Sequence, residues 1–295
     1  MPAAGGLSIH EFNAEAVSMN YLEAILLGLV QGLSEFLPIS SSGHLVIFQQ
    51  LFGLSEDIAA NMLFDVLVHI GTLVAVFIAF RHRIWRLIKA VGGLVADLCR
   101  GRFSFRKADE DKRMVILVLI ATAVLIPFIP FRGYLEILFS SMLTVGVALL
   151  FTALLLSFAD RVKKGNKTMK DMKVRDALII GAFQGVALTP GISRSGSTIT
   201  SGLLCGLNRA SAVEFSFILS IPAILGSAAL HLSDAAHMLS EVNLGPYIAG
   251  MTVAAAAGFA AIKLIQYLVK KEKFGVFAYY CAAMGLFVII YSLVK

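Results

Sequence analysis

Four ionisable side chains, Glu35, His44, Arg194 and Asp65, stand in stretches otherwise apolar enough for a bilayer interior. A charge there is costly unless it is paired or wet, so each is a functional candidate by default. Glu35 follows Gln31 by one helical turn, which sets two oxygen-bearing side chains on one face, usable as ligands for a hard cation such as Mg²⁺ or Ca²⁺. A structural hydrogen bond closing a loop would use the same spacing. Ser40, Ser41 and Ser42, followed by Gly43 and His44, gather hydroxyls, flexible backbone and an imidazole. That is material for a base-activated nucleophile, or for a helix cap with a spare histidine. Arg194 lies among Ser193, Ser195, Ser197 and Thr198, between Gly191 and Gly196. A guanidinium grips phosphate bidentately, and hydroxyls at a helix start add donors for an anion. The bland alternative is a buried salt bridge from Arg194 to Glu35 or Glu214. Asp65 and Glu214 open the spans that follow the two motifs, where they would orient loop residues, with His69 one turn beyond Asp65. Acid, hydroxyl, imidazole and arginine together suit an anionic substrate and a metal, and phosphate fits best.

The elements that carry these residues are duplicated. Ala24 to His44 (AILLGLVQGLSEFLPISSSGH) and Ala177 to Ser197 (ALIIGAFQGVALTPGISRSGS) align without a gap at an offset of 153 residues, identical at eight of twenty-one positions, where composition alone gives roughly two. The differences carry the chemistry: Glu35 aligns with Leu188, Ser41 with Arg194 and His44 with Ser197. Proline at 38 and 190 ends the incoming helix, and Ser and Gly supply turns and caps. Non-helical backbone at membrane depth survives only where it is buried in protein or lines a wet cavity, so both loops are expected to line one cavity.

The remainder of the chain sets the frame. It is 295 residues long, 58% hydrophobic and 15% charged, with mean hydropathy +0.83, a polytopic membrane composition. Six apolar runs, near 62–80, 113–131, 139–160, 212–232, 246–270 and 274–294, are long enough to span. Nothing at the start has the pattern of a removable signal peptide. The net charge of +6 does not indicate nucleic acid, because the basic residues sit in short blocks between apolar runs. Residues 1–80 hold no Lys or Arg, whereas 81–113 hold ten, 161–175 seven and 270–273 three; the loops 132–139 and 233–245 hold only Arg132. The positive-inside rule makes the three basic blocks cytoplasmic. Counting crossings then requires both duplicated segments to be re-entrant, entering from opposite faces. The expected fold is an all-α, single-domain inverted-topology repeat, each half one re-entrant hairpin plus three transmembrane helices, with repeats near 21–160 and 174–295. Within the longest loop, Ile84, Leu87, Ile88, Val91, Leu94, Val95 and Leu98 recur at helical spacing beside Trp85, Arg83, Arg86 and Lys89, as in an amphipathic helix on the inner leaflet. Cys99, Cys205 and Cys281 are far apart and are expected to be inert thiols; His10, His82, His231 and His237 fall in termini or loops and carry no expected role.

The motifs resemble the bacterial undecaprenyl-diphosphatase, or bacitracin-resistance, family: Gln31 to Glu35 leading into Pro38 to His44, and Pro190 to Thr198. The resemblance covers nearly all of the chain past residue 20. It implies hydrolysis of undecaprenyl diphosphate to undecaprenyl phosphate at the outer face of the cytoplasmic membrane, which recycles the lipid carrier for peptidoglycan and other envelope polymers. It also implies a divalent cation held through Glu35, with Ser41 and His44 near the attacked phosphorus. Arg194, with Ser193, Ser195, Thr198 and Ser40, would bind the diphosphate. Family members with Glu where Gln31 stands have one more carboxylate. Whether Ser41, His44 or a metal-bound water attacks stays open. So do a possible homodimer and a flippase function, since inverted repeats with broken helices also suit transporters of polyprenyl phosphate. A second lipid-phosphatase superfamily shares Ser42 to His44, but its later histidine is missing between Thr198 and Arg209.

Overall fold

The computed structural model describes residues 19–294 apart from 55–57, 106, 132, 135–137, 139–140, 163–164, 239–241 and 271–273. His10, Arg106, Arg132, Lys163, Lys164, Lys271 and Lys273, which enter the charge and histidine arguments above, lie outside the described residues. Eleven α-helices are described: α1 (Tyr21–Phe36), α2 (Ser41–Leu51), α3 (Ile58–Ala79), α4 (Arg81–Cys99), α5 (Glu110–Ala123), α6 (Met142–Arg161), α7 (Val174–Val186), α8 (Arg194–Leu204), α9 (Arg209–Met238), α10 (Leu244–Lys270) and α11 (Gly275–Val294). Among the described residues there is no strand, only an isolated bridge between Lys167 and Leu207. Six segments are long and apolar enough to cross a membrane: Asn61–Ala79, Glu110–Phe131, Met142–Arg161, Arg209–His231, Leu244–Val269 and Gly275–Val294. The protein is an all-α, multi-pass membrane protein.

Local sequence explains where the helices begin and stop. Asn20 accepts from Glu23 N and Glu23 reaches back to Asn20 N, a reciprocal cap that starts α1. Pro38, which has no N–H to donate, follows the last residues of α1. Ser40 and Ser193 each accept from the N–H three residues on, Gly43 and Gly196, and so start α2 and α8. Two spans differ from their expected form. The run at 113–131 is α5 followed by a short 3₁₀ turn, Ile126–Phe131, because Pro127 and Pro130 cannot continue an α-helix. Helix α9 runs on to Met238, into a segment read as loop, because Ser233 to Met238 contain neither Gly nor Pro.

The helices pair in a pattern that maps onto itself when the halves are exchanged. α1 packs on α10 and α7 on α5; α3 packs on α10 and α9 on α5; α3 meets α9, and α6 meets α11. Close approach of α1 and α10 depends on small residues, since a Cβ at Gly28 would overlap the Gly250 carbonyl and one at Gly32 that of Ala254. Lipid offers no hydrophobic drive for helices to associate, so such small-residue seams let dispersion contacts do the work.

Among the described residues α4 has no counterpart in the second half. Its aliphatic stripe divides: Ile84, Leu87 and Leu94 are buried against the bundle, while Trp85, Ile88, Val91, Val95 and Leu98 are exposed. Arg83, also buried, fastens it by ion pairs to Glu110 (3.1 Å), to Glu214 (2.8 Å) and to Asp111. This corrects one expectation. Glu214 does not orient the loop residues, because its side chain is engaged by Arg83. Ser216, two residues on and therefore on the far side of α9, is the one that meets Arg194 and Thr198.

Candidate functional site

Two helical hairpins, α1–α2 and α7–α8, bring their breaks together at the centre of the bundle. Contact is close: a Cβ on Gly43 would lie 3.0 Å from Gly191 Cα, tighter than side chains ordinarily pack. Ser195 Oγ donates to Leu37 O at 3.2 Å, tying the second break to the first. From the opposite side, Thr152 of α6 donates to Gly191 O (3.1 Å) and accepts from Ser193 N (3.0 Å). Beneath the breaks Phe36 and Phe217 meet edge to face at 5.4 Å, a packing worth about 0.5–1.5 kcal/mol beyond area burial.

Glu35 is the hub. Its Oε1 accepts from Arg194 Nη2 at 2.5 Å across 159 residues of sequence. Its Oε2 accepts from Ser41 Oγ at 2.6 Å and Gln31 Nε2 at 2.9 Å, with His69 Nε2 3.7 Å away. The pair is only 5% exposed on the Glu35 side and 16% on the Arg194 side. Breaking such a pair by removing one partner costs about 3–5 kcal/mol. Sequence reading offers an anion clamp or a buried salt bridge for Arg194, and the geometry gives a bridge to Glu35 whose guanidinium keeps some access to the outside.

His44 is held at both ring nitrogens. Nδ1 lies 2.7 Å from Ser40 O, which can only accept, so Nδ1 carries the hydrogen; Nε2 then accepts from Tyr280 Oη at 2.8 Å. Ser40 makes this possible through an unusual backbone, φ 72°, the only positive φ outside glycine among the described residues. Such strain, on the order of 1–3 kcal/mol, is typical of functional loops. The expected partners Asp65 and His69 flank the hub: Asp65 Oδ1 accepts from Gln49 Nε2 at 2.9 Å, and His69 Nδ1 donates to Asp65 O at 2.6 Å.

The remaining candidates are committed to the loops themselves. Ser193 caps α8 and contacts Ser195 Oγ at 3.2 Å, Thr198 Oγ1 sits 2.6 Å from Ser216 Oγ, and Ser40 caps α2. All four hydroxyl-bearing residues, Ser40, Ser193, Ser195 and Thr198, are buried. They build the frame that aims Arg194, and the capping hydroxyls of Ser40 and Ser193, which accept there, keep an O–H to donate. For a hard cation the donors are a carboxylate and an amide: Gln31 Oε1 is buried and has no hydrogen-bond partner, an acceptor one turn from Glu35. That chemistry fits Mg²⁺ or Ca²⁺. Among the described residues no cluster of three His, Cys, Asp or Glu exists, so substrate oxygens and water would complete the shell. Sequence reasoning missed Tyr280, Thr152 and Gln49, which touch the motifs from distant spans. Only their polarity within apolar helices could have marked them.

Residues 24–287 match the family described as bacitracin resistance protein BacA. An undecaprenyl-diphosphatase of Methanosphaera stadtmanae is 42% identical over 280 residues, covering 94% of this chain and 99% of the relative. One from Alkaliphilus metalliredigens is 41% identical, covering 93% and 100%, and one from Bacteroides thetaiotaomicron is 39% identical, also covering 93% and 100%. With both hairpins and their meeting point inside the matched stretch, the chain belongs to the bacitracin resistance protein BacA family.

Proposed function

We propose that this protein is an undecaprenyl-diphosphatase of the bacterial cytoplasmic membrane, releasing phosphate from undecaprenyl diphosphate with the help of a divalent cation. One observation carries the site assignment: Glu35 joins Arg194 and Ser41, the first residues of the two short helices, on its two carboxylate oxygens. Hydrolysis of a phosphoanhydride needs the charge on the transferring and leaving phosphoryl groups neutralised, and positioning supplies most of the remainder. In this reading Arg194 turns from Glu35 toward the diphosphate and grips it bidentately. Glu35 and Gln31 would hold the cation, which when bound adds positive charge beside the phosphoryl oxygens.

His44 is the acid/base of the reading, because its Nε2 is fixed as an acceptor. Ser41 or a water is the nucleophile. Ser41 Oγ donates to Glu35, so the carboxylate orients it and can lower the cost of losing its proton. Ser193, Ser195, Thr198 and Ser40 hold the loops that aim these groups, His69 lies beside Glu35 from α3, and the Asp65 carbonyl orients His69. The basic blocks face the cytoplasm, the halves are inverted copies, and the site opens to the outer face. The correspondence of helix pairs supports the duplication, and the placement of the basic blocks supports its inversion. A flippase is the weaker reading, since the relatives' names state a hydrolase.

The test is phosphate release from undecaprenyl diphosphate by purified protein in detergent, with Mg²⁺, with Ca²⁺ and with chelator. The expected result is release of one phosphate per lipid, abolished by chelation and restored by added cation. Lipid binding without release under any cation would sink the enzyme reading and favour transport.

A further inference from the structure

Tyr280 lies on α11, 236 residues from His44, yet its hydroxyl is 2.8 Å from His44 Nε2. The two rings are nearly parallel, 11° apart with centroids at 5.6 Å. Its neighbour Cys281 places Sγ 3.7 Å from Pro38 O, so two consecutive residues of α11 touch the first break on either side of Ser40. His44 itself is 3% exposed, whereas Tyr280 is 39% exposed. The imidazole therefore meets its surroundings through the phenol. Neutral imidazole with hydrogen on Nδ1 has a single in-plane lone pair, on Nε2, and Tyr280 O–H already occupies it. The phenol oxygen keeps its own acceptor capacity, directed away from His44.

We propose that Tyr280 is a proton relay between His44 and the reacting groups. This rests on the acid/base reading of His44 given above. As the attacking water bonds to phosphorus, one of its protons passes to Tyr280 Oη while the proton of Tyr280 moves to His44 Nε2. The phenol is regenerated, His44 becomes the imidazolium, and the bond between phosphorus and the bridging oxygen breaks with its electron pair leaving on the lipid phosphate. The imidazolium then returns its proton through the phenol to the departing lipid phosphate, which leaves His44 and Tyr280 as they began. The imidazolium stays hydrogen-bonded throughout, at Ser40 O through Nδ1 and at the phenol oxygen through Nε2.

The experiment compares native protein, Tyr280→Phe and His44→Ala in cation-dependent phosphate release, with kcat and KM determined separately. Tyr280→Phe keeps the stacked ring and removes only the hydroxyl, so kcat is expected to fall at least about ten-fold with KM within two-fold. A kcat equal to the native value, or higher, would show that the phenol merely covers Nε2 and would overturn the relay. Should Tyr280→Phe not fold, a proton inventory of kcat on the native protein in mixed H₂O and D₂O decides: a bowed plot is expected for two protons moving together, and a linear one overturns the proposal. Failure of the underlying reading is separable, because full activity in His44→Ala removes the acid/base role of His44 whatever Tyr280→Phe does.

Discussion

The two helical hairpins share a backbone plan and differ in what they carry. Each has a helix ending near a proline, a short break, a serine cap and an eleven-residue helix. At the first position of that helix one copy has Ser41 and the other Arg194, and both side chains converge on the two oxygens of Glu35. The equivalent of Glu35 in the second hairpin is Leu188. A single carboxylate thus reads both copies. Duplicated architecture supplies two matched loops at one point, and divergence at three positions leaves them carrying a carboxylate, a hydroxyl, an imidazole and a guanidinium. Gln31 and Gln184 show the cost of that divergence: Gln31 donates to Glu35, whereas Gln184, buried, has no hydrogen-bond partner for either amide atom.

The comparison breaks most visibly at Arg194. Arg194→Ala leaves Glu35 buried without its cation and removes the anion clamp, so phosphate release is expected to fall about 10³-fold, the scale of losing a central electrostatic donor. Arg194→Lys tests the fork separately: it keeps the charge but not the bidentate grip, and recovery of more than a tenth of native activity would show that charge alone suffices. Glu35→Gln comes next. It removes the negative charge that pairs with Arg194 and leaves a single acceptor oxygen for the two hairpins, and a fall of about 10² in release is expected. Unchanged turnover in that variant would remove Glu35 from the cation site and leave it a loop tie.

Most of this comparison is legible in the sequence because the motifs are local. The duplication, the breaks at Pro38 and Pro190, the Gln31 to Glu35 turn and the six apolar spans all follow from residue type and short spacing. What is not legible depends on long-range packing. The Ser216 side chain rather than that of Glu214 meets Thr198 at the second break because residues two apart point to opposite sides of α9, and which side faces the break is set by packing against α3, α5 and α8. Thr152 and Tyr280 lie in apolar spans where a hydroxyl is as often a local bond to the preceding turn, and no periodicity says which one reaches across. The bonds that the hydroxyls around Arg194 make within the loops are not legible for a related reason: a buried loop must satisfy its own backbone, and its serines and threonine help to do so.

Two substitutions sharpen the contrast between the glutamines. Gln31→Glu adds a second carboxylate beside Glu35, and ligand charge sets affinity for a hard cation. The concentration of Mg²⁺ or Ca²⁺ giving half-maximal release is expected to drop about ten-fold, measured by titration after chelation. An unchanged requirement would place the cation away from Gln31. Gln184→Met has the smallest expected effect, and on stability alone. A buried amide without partners costs about 1–3 kcal/mol, and methionine keeps the volume while removing the polar atoms. Gln184 lies in the hairpin that lacks the carboxylate, so nothing in the site loses a contact. The thermal midpoint in detergent is expected to rise by a few degrees with phosphate release unchanged. A lower midpoint would mean that Gln184 is held by a buried water, and that the second hairpin has kept a polar partner where the first keeps Glu35.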